Sequence, residues 1–286
     1  MFSPNPLFEC PSDDTIIWKY IDFWKLESLI KEKSFYLPRA DSLVKMDIHD
    51  GPIRPAYEEY ITKKIFSNEF HYYIKKELKL LSLDGIEISE NRCWDLIQIR
   101  KRFLMVYNYF LNNSFVTYWN IDTGESKYMW ETYIHEPSGV AIVSTVGKLK
   151  ECLQISNFPI TISKVEYTDW ENGSIDFRIL FNGGGAYPIV LQMLYNKTVR
   201  WIRDKELRLV YADLPVEQIY GFLLGSRFDL TRKSNEHFKI PVDITNLIDE
   251  MYLCPGSNGD SKNKVMELIS SHIDKFDCDK ILFSEI

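Results

Sequence analysis

From Ser114 onward the sequence alternates between strand-length and helix-length apolar patterns, and this alternation constrains the fold more than any other feature. An alternate-residue pattern predicts a strand, and a spacing of three to four residues predicts a helix. Strands are predicted at 115–119, 139–144, 160–170, 206–212, 249–255 and 280–286, and helices at 126–134, 145–154, 187–200 and 262–276. The chain is therefore predicted to be an α+β protein with a small mixed sheet at its core.

The N-terminal part is predicted to begin with a β-α-β unit. A strand pattern at 15–21 is followed by Asp22, which is predicted to cap a helix, and a second strand pattern covers 34–40. Residues 1–14 hold three prolines and are predicted to form an irregular arm, whereas 15–286 form a single domain. Residues 54–113 carry helix-length patterns, so a mainly helical insert is predicted there.

Composition argues against several classes of protein. The net charge of −7 argues against a nonspecific nucleic-acid binder, because such a protein needs a basic surface to displace counterions. The five cysteines and five histidines are dispersed, so no zinc site is expected. There is no membrane-span pattern and no signal peptide, and the cysteines are interpreted as reduced thiols. We therefore expect a cytoplasmic protein that does not engage membranes.

Two short segments have a functional interpretation, but a simple structural role explains each of them as well. The glycines at 183–185 lack the spacing of a phosphate-binding loop, which makes a turn or a loop the simpler interpretation. Ser144 and Thr145 end a strand and begin a helix. A hydroxyl at that position commonly caps the helix, but strand ends of open sheets also line ligand clefts.

The stretch WIRDKELRLVY, residues 201–211, holds five charges in six positions and then an apolar strand. A strand running through it puts Asp204, Glu206 and Arg208 on one face. These side chains form either a ladder of surface salt bridges or a carboxylate pair at a cleft edge. Such a pair orients a ribose hydroxyl or stabilises an oxocarbenium-like transition state. Spacing alone favours the salt bridges.

Several motifs together resemble the prokaryotic domain-of-unknown-function family 2971. They are YWNIDTGESKYMWETY (118–133), GVAIVST (139–145), VEYTDW (165–170) and VDITNLIDEMYLCP (242–255). Within the first of them, Trp130 and Tyr133 lie one turn apart on a predicted helix. The family's aromatic-x-x-R-A-D step matches Arg39 and Asp41, and its later basic-aromatic-E-x-E-x-R element matches Lys197, Trp201, Asp204, Glu206 and Arg208. The resemblance covers most of the chain from about residue 15, except the middle helices.

A more distant similarity is to ADP-ribosyltransferases of the R-S-E type. These enzymes present a basic residue on an early strand, a strand ending in Ser-Thr and a later acid-x-Glu, which look like Lys19, Ser144 with Thr145, and Asp204 with Glu206. The resemblance implies NAD as the substrate, Glu206 as the catalytic carboxylate and Asp204 as the second acid. The residues expected to bind NAD are Lys19, Tyr20, Arg39, Asp41, Trp130, Tyr133, Ser144, Thr145, Lys197 and Arg208.

The hypothesis from these resemblances is an NAD-consuming, ADP-ribosyltransferase-like enzyme that acts as a toxin or phage-defence effector on a protein or nucleic-acid acceptor. One alternative is a non-enzymatic module that senses a nucleotide or binds a protein partner. Another is a hydrolase or nuclease in which Asp41, Asp47, Asp50 and Glu206 hold a divalent metal, since oxygen ligands suit magnesium. The transferase chemistry itself requires no metal, and none is expected.

Overall fold

The computed structural model describes residues 2–3, 8–42, 105–106, 108–168, 194–215, 218–219, 222, 226–273 and 276–286. The predicted insert up to residue 104, the glycines at 183–185, Asp47 and Asp50 lie outside these ranges, while 105–106 and 108–113 are helical as predicted. The strands are β1 (Ile16–Ile21), β2 (Ser34–Pro38), β3 (Ser114–Ile121), β4 (Val140–Thr145), β5 (Ile160–Lys164), β6 (Glu166–Thr168), β7 (Asn196–Thr198), β8 (Glu206–Ala212), β9 (His237–Pro241), β10 (Glu250–Leu253) and β11 (Ile281–Phe283). The helices that we label are α1 (Phe23–Glu32), α2 (Lys127–Tyr133), α3 (Val146–Cys152) and α4 (Gly259–His272).

Within the described residues, seven strands form one sheet in the order β11-β10-β4-β1-β3-β8-β5. Neighbouring strands are antiparallel except β10 and β11, which are parallel. Two further pairs are separate from it: β2 with β9, antiparallel, and β6 with β7, parallel. Together with the helices, this mixed sheet confirms the α+β prediction.

The two faces of the large sheet carry different side chains because successive residues of a strand point to opposite sides. On one face, which we call the core face, Ile17, Ile142 and Leu207 pack with the apolar sides of α1, α3 and α4. On the opposite face, Trp18 and Tyr20 pack with Met129 and Trp130 of α2. A helix covers part of this second face, and the polar side chains of β3 and β8 lie beside it.

The sequence patterns account for several helix ends, but the predicted cap of α1 is not formed: Asp22 precedes the helix without a capping hydrogen bond, and its carboxylate accepts from His135 N instead. In α1, Leu26, Leu29 and Ile30 are buried at the predicted helical spacing, and Lys33 ends the helix with φ 45°. The side chain of Ser126 accepts a hydrogen bond from Met129 N at the start of α2. None of the helices among the described residues is long and apolar enough to cross a membrane.

Two predicted elements differ in the structure. Residues 196–200, predicted as the end of a helix, instead form β7 and the start of a 3₁₀ turn, Val199–Asp204. The predicted arm contributes to the sheet edge, because Phe2 forms an isolated bridge to Ile160 and Lys164 N donates to Glu9 O. These contacts supply hydrogen bonds to β5, which is an edge strand of the large sheet.

Candidate functional site

The candidate site begins on β8, where apolar and charged residues alternate. Leu207 and Leu209 belong to the core face, so Glu206 and Arg208 point to the opposite face. Both charged side chains are nevertheless buried, at 2% and 3% exposure. A buried charge is costly unless an opposite charge and hydrogen bonds accompany it. The groups that surround Glu206 therefore determine which chemistry this face of the sheet can support.

The chain approaches Glu206 through a tight turn rather than through a continuous strand. The 3₁₀ turn ends at Asp204, and Lys205 adopts φ 42° and ψ 47° before β8 begins. The strand pattern considered through 201–211 therefore begins only at Glu206, as the predicted bounds 206–212 have it, because the left-handed Lys205 interrupts the extended backbone. The turn brings the Asp204 carboxylate to the side-chain amine of Lys197, which the Glu206 carboxylate also contacts, so the two acids meet.

Four charged side chains form what we call the buried ion cluster: Lys197, Asp204, Glu206 and Arg208. Lys197 Nζ lies 2.6 Å from Asp204 Oδ2 and 2.7 Å from Glu206 Oε1. Arg208 Nε lies 2.7 Å from Glu206 Oε2, and Arg208 Nη1 donates to Leu194 O at 2.7 Å. Two cations and two carboxylates balance, and each carboxylate accepts charge-assisted hydrogen bonds.

Tyrosine hydroxyls from α2 reach the same cluster. Tyr128 donates to Asp204 Oδ1 at 2.8 Å, and Tyr133 donates to Asp204 Oδ2 at 3.3 Å. Tyr167 accepts a hydrogen bond from Glu206 N at 2.8 Å. The cluster therefore joins α2 with β6, β7 and β8, which come later in the chain.

Electrostatics keep the Glu206 carboxyl group ionised. Burial alone raises its pKa, but the charges of Arg208 and Lys197 and their hydrogen bonds outweigh burial and hold the pKa below its usual range. A carboxylate of this kind is a poor general base near neutral pH, because it binds a proton weakly. The Glu206 carboxylate is instead suited to carry a permanent negative charge. Burial together with hydrogen bonding to Asp204 raises the pKa of Tyr128 to about 12.

Lys19 lies beside this region, where β1 and β3 pair at only two positions. Its Nζ donates to Tyr118 O at 2.8 Å and to Thr117 Oγ1 at 3.1 Å. Burial lowers the pKa of this amine to about 7, the charge of Lys25 adds to the lowering, and Glu206 opposes it. Its hydrogen bonds therefore join Lys19 to neutral groups of β3, whereas the resemblance to the transferases implies that it binds NAD.

The structure brings some of the predicted site residues together. Lys197, Asp204, Glu206 and Arg208 form the buried ion cluster, and Tyr133 contacts it. Two further residues of the predicted site, Tyr20 and Trp130, lie on the same face of the sheet in the neighbouring apolar group. Each makes hydrogen bonds outside the ion cluster. The Tyr20 hydroxyl accepts from Ser126 N, and Trp130 Nε1 donates to Glu125 Oε1.

Ser144 and Thr145 do not share the site with Glu206. Ser144 has the parity of Ile142 and lies on the core face, where its hydroxyl donates to Leu247 O. Three strand spacings, or about 14 Å, also separate β4 from β8. Thr145 caps α3 by accepting from Lys148 N. The basic-Ser-Glu arrangement implied by the transferase resemblance is therefore not assembled on one face.

Arg39 and Asp41 pair with each other away from Glu206. Their side chains form two parallel hydrogen bonds, and Arg39 also donates to Ser234 O. Arg39 bridges Phe115, whereas Glu206 pairs with Asn120 at the other end of β3. Five residues of strand correspond to about 17 Å. Within the part of the chain that is described, no group of three or more His, Cys, Asp or Glu side chains is placed to hold a metal ion.

Sequence reasoning missed three residues of the site: Asn120, Tyr128 and Tyr167. Asn120 is 2% exposed, and its Nδ2 donates to Asp204 O. A polar residue inside an apolar strand was the available signal for Asn120, because such a side chain needs partners when it is buried. No local signal marks the two tyrosines, since their contacts depend on how distant elements pack.

Comparison of this chain with protein-family models, with curated proteins and with solved structures gave no match. The resemblances to family 2971 and to the R-S-E transferases therefore stay predictions from the motifs. The class of site rests on the geometry alone: a charge-balanced, buried ion cluster on one face of a mixed sheet, bordered by aromatic side chains.

Proposed function

We propose that this chain is a nucleotide-binding module and that the face of β3 and β8 beside α2 holds the ligand. The observation that carries the proposal is the contrast in burial around the ion cluster. Its four charges are buried, whereas the aromatic side chains around it are only partly buried: Tyr118, Tyr128, Tyr133 and Trp201. Aromatic walls with a few fixed polar groups are typical of sites for small ligands.

Two of these aromatic rings lie against each other, and a third lies beside the lysine of the ion cluster. Tyr118 and Tyr133 have ring centroids 5.4 Å apart, and Lys197 Nζ lies 5.0 Å from the ring centre of Trp201. A nucleotide base stacks favourably on such rings whatever its sequence identity, because every base has a π face. The bordering rings therefore favour a flat heterocycle over an aliphatic ligand.

The charges divide the site into a neutral part and a basic part. Inside the cluster, Lys197 and Arg208 face the carboxylates of Glu206 and Asp204, so the net charge is zero. Beside it, Arg200, Arg203 and Lys205 are exposed on the turn that carries Trp201. We assign the base and ribose to the neutral part and the phosphates to this basic turn, because exposed arginines bind phosphate oxygens well.

A binding measurement tests the proposal. Isothermal titration calorimetry with NAD, ADP-ribose and AMP is expected to detect binding to the wild-type chain. Tyr133→Leu should weaken that binding by about 10-fold or more, the scale of losing a stacking partner. Tyr36→Leu removes a tyrosine that is 51% exposed on β2 and should leave binding unchanged. Absence of binding by all three ligands, or equal losses in both variants, would refute the module.

A second candidate is the NAD-consuming enzyme, which one observation favours. Asp204 and Glu206 converge on one amine, and the lowered pKa of Glu206 keeps the negative charge that an oxocarbenium-like transition state requires. Nicotinamide release from NAD distinguishes the two candidates. Turnover that Glu206→Gln lowers by about 100-fold, with NAD still bound, supports the enzyme. Binding without turnover, also in the presence of cell lysate as a source of acceptor, supports the module.

A further inference from the structure

Asn120 carries a buried acceptor that no protein group fills within the described residues. Its Oδ1 has no hydrogen-bond partner there, although the residue is 98% enclosed. The orientation of the amide is set by its other end, because Nδ2 faces Asp204 O, which is only an acceptor. Exchanging the two ends would put two oxygens together. The acceptor therefore belongs at this position, and it requires a donor from outside these residues.

A second buried asparagine, one residue before the same strand, shows what full pairing looks like. Asn113 precedes β3 and is fully buried. Its Nδ2 donates to Tyr109 O and to Arg232 O, and its Oδ1 accepts from Ser234 Oγ at 2.8 Å. Every polar atom of the Asn113 side chain thus has a partner. Asn120 differs from it in one atom, and that atom lies at the proposed ligand site.

The neighbours of Asn120 define the chemistry of the missing donor. Asn120 is the cross-strand partner of Glu206, and Asp204 lies at its amide nitrogen. An anion placed there would meet the charge of Glu206, and a cation would meet Lys197 and Arg208, which pair with Glu206. An uncharged N–H or O–H group meets neither penalty and fills the lone pairs of Oδ1.

We propose that Asn120 determines ligand specificity at this site by accepting a hydrogen bond from an uncharged N–H or O–H donor of a nucleoside. The donor is the exocyclic amine of the base or a ribose hydroxyl. This inference rests on the proposed nucleotide-binding function and adds a named contact to it. Because Oδ1 is covered, the donor reaches it only after the side chains that enclose it move aside.

The test combines changes in the ligand with changes in the protein. Adenosine, N6,N6-dimethyladenosine, 2′-deoxyadenosine and 3′-deoxyadenosine are titrated by calorimetry into the wild type, Asn120→Ala and Asn113→Ala. We expect one analogue to bind the wild type about 10-fold more weakly than adenosine, since it lacks the donor that Oδ1 accepts. Asn120→Ala should bind that analogue and adenosine within about 2-fold of each other, because the partner is gone. Asn113→Ala should discriminate as the wild type does.

Each alternative result overturns a different statement. Equal binding of all four nucleosides by the wild type overturns the role of Asn120 and leaves nucleotide binding intact. Discrimination that persists in Asn120→Ala has the same consequence. If none of the nucleosides and none of the nucleotides binds, both the inference and the proposed function fail. If Asn120→Ala does not fold, Asn120→Ser replaces it, since a serine hydroxyl is too short to reach the donor.

Discussion

Two groups of charged side chains lie at opposite ends of β3, and they differ in how far they are enclosed. The buried ion cluster adjoins Asn120, and its lysine, Lys197, is 1% exposed. Arg39, Asp41 and Lys233, which we call the Arg39 group, adjoin Phe115. There the lysine is 48% exposed and approaches Asp41 at 3.3 Å. Similar charges are thus placed in two different dielectric environments.

The difference in exposure between the two groups indicates which charges the stability of the fold depends on. In the Arg39 group, water replaces Lys233 as a partner for Asp41 at little cost, because exposed ion pairs contribute little. In the buried ion cluster, no such replacement reaches Lys197 without opening the contacts of α2 and β7. Breaking a buried pair by removing one partner is strongly destabilising, whereas an intact pair contributes modestly. We therefore infer that the buried ion cluster contributes less to stability than to fixing one arrangement of the elements around it.

The largest expected effect comes from the lysine at the centre of the cluster. Lys197→Met should lower the free energy of unfolding by about 3–5 kcal/mol, because it leaves two carboxylates buried without the amine between them. Urea unfolding at pH 7 measures this loss. Lys233→Met is the matched control and should change the same quantity by less than about 1 kcal/mol. Comparable losses in the two variants would remove the distinction between the groups.

The next expected effect is a difference between the two groups in acid. Burial raises the pKa of Glu206 and of Asp41, but their basic neighbours outweigh it, so both values lie below the ordinary ones. A carboxyl group with a lowered folded-state pKa stabilises the fold above its unfolded pKa, and this contribution is lost as the pH falls through the folded pKa. Stability should therefore fall on acidification in both groups.

The variants Glu206→Gln and Asp41→Asn separate the two contributions. At pH 7 we expect Glu206→Gln to cost about 3 kcal/mol, since it leaves Arg208 buried without its carboxylate partner and Lys197 with only Asp204. Asp41→Asn should cost about 1–2 kcal/mol, because Arg39 keeps its bond to Ser234 O. Each difference from the wild type should shrink below about pH 4, near the unfolded pKa values. A difference for Glu206→Gln that stays constant from pH 7 to pH 3 would contradict the lowered pKa.

Part of the fold and part of the buried ion cluster were predictable from the sequence. The alternation that begins at Glu206 predicted β8 at 206–212 and placed Glu206 and Arg208 on one side of it, because strand periodicity is a local property. The helix α1 followed equally from its apolar spacing. The prediction that Asp204 and Glu206 lie on the same side agrees with the structure, since both carboxylates reach Lys197, whereas their catalytic role stays a prediction.

The remainder depends on contacts that local patterns do not encode. Lys205 turns the chain in a left-handed conformation without the glycine that usually announces one. The opposition of Asn120 and Glu206 follows from the register of strands 86 positions apart (206 − 120), and the pairing of β2 with β9 spans an even longer separation. For Ser144 the position at a strand end was predicted correctly, but its placement beside Glu206 was wrong. The face to which its side chain points follows from the register of β4 with β1.

The smallest expected effect tests whether α2 is tied to the buried ion cluster or only packs beside it. Tyr128→Phe removes one hydroxyl, which donates to Asp204 Oδ1, and keeps the ring. We expect the free energy of unfolding to fall by about 1 kcal/mol, the usual net contribution of such a hydrogen bond. Tyr252→Phe is the control, because Tyr252 also donates to a carboxylate, Glu250, but outside the cluster. Its loss should be below about 0.5 kcal/mol, since a partly exposed carboxylate exchanges the hydroxyl for water.

The pH dependence of the same variant gives an independent check. Burial and the bond to Asp204 raise the pKa of Tyr128 to about 12, above the value of about 10 in an unfolded chain. A raised folded-state pKa gives stability that is complete below the unfolded pKa and is lost as the pH rises through the folded pKa. The advantage of the wild type over Tyr128→Phe should therefore be constant from pH 7 to 9 and decline above about pH 10. A constant advantage up to pH 11 would mean that the hydroxyl is not held by Asp204, and α2 would then be a neighbour of the cluster rather than a part of it.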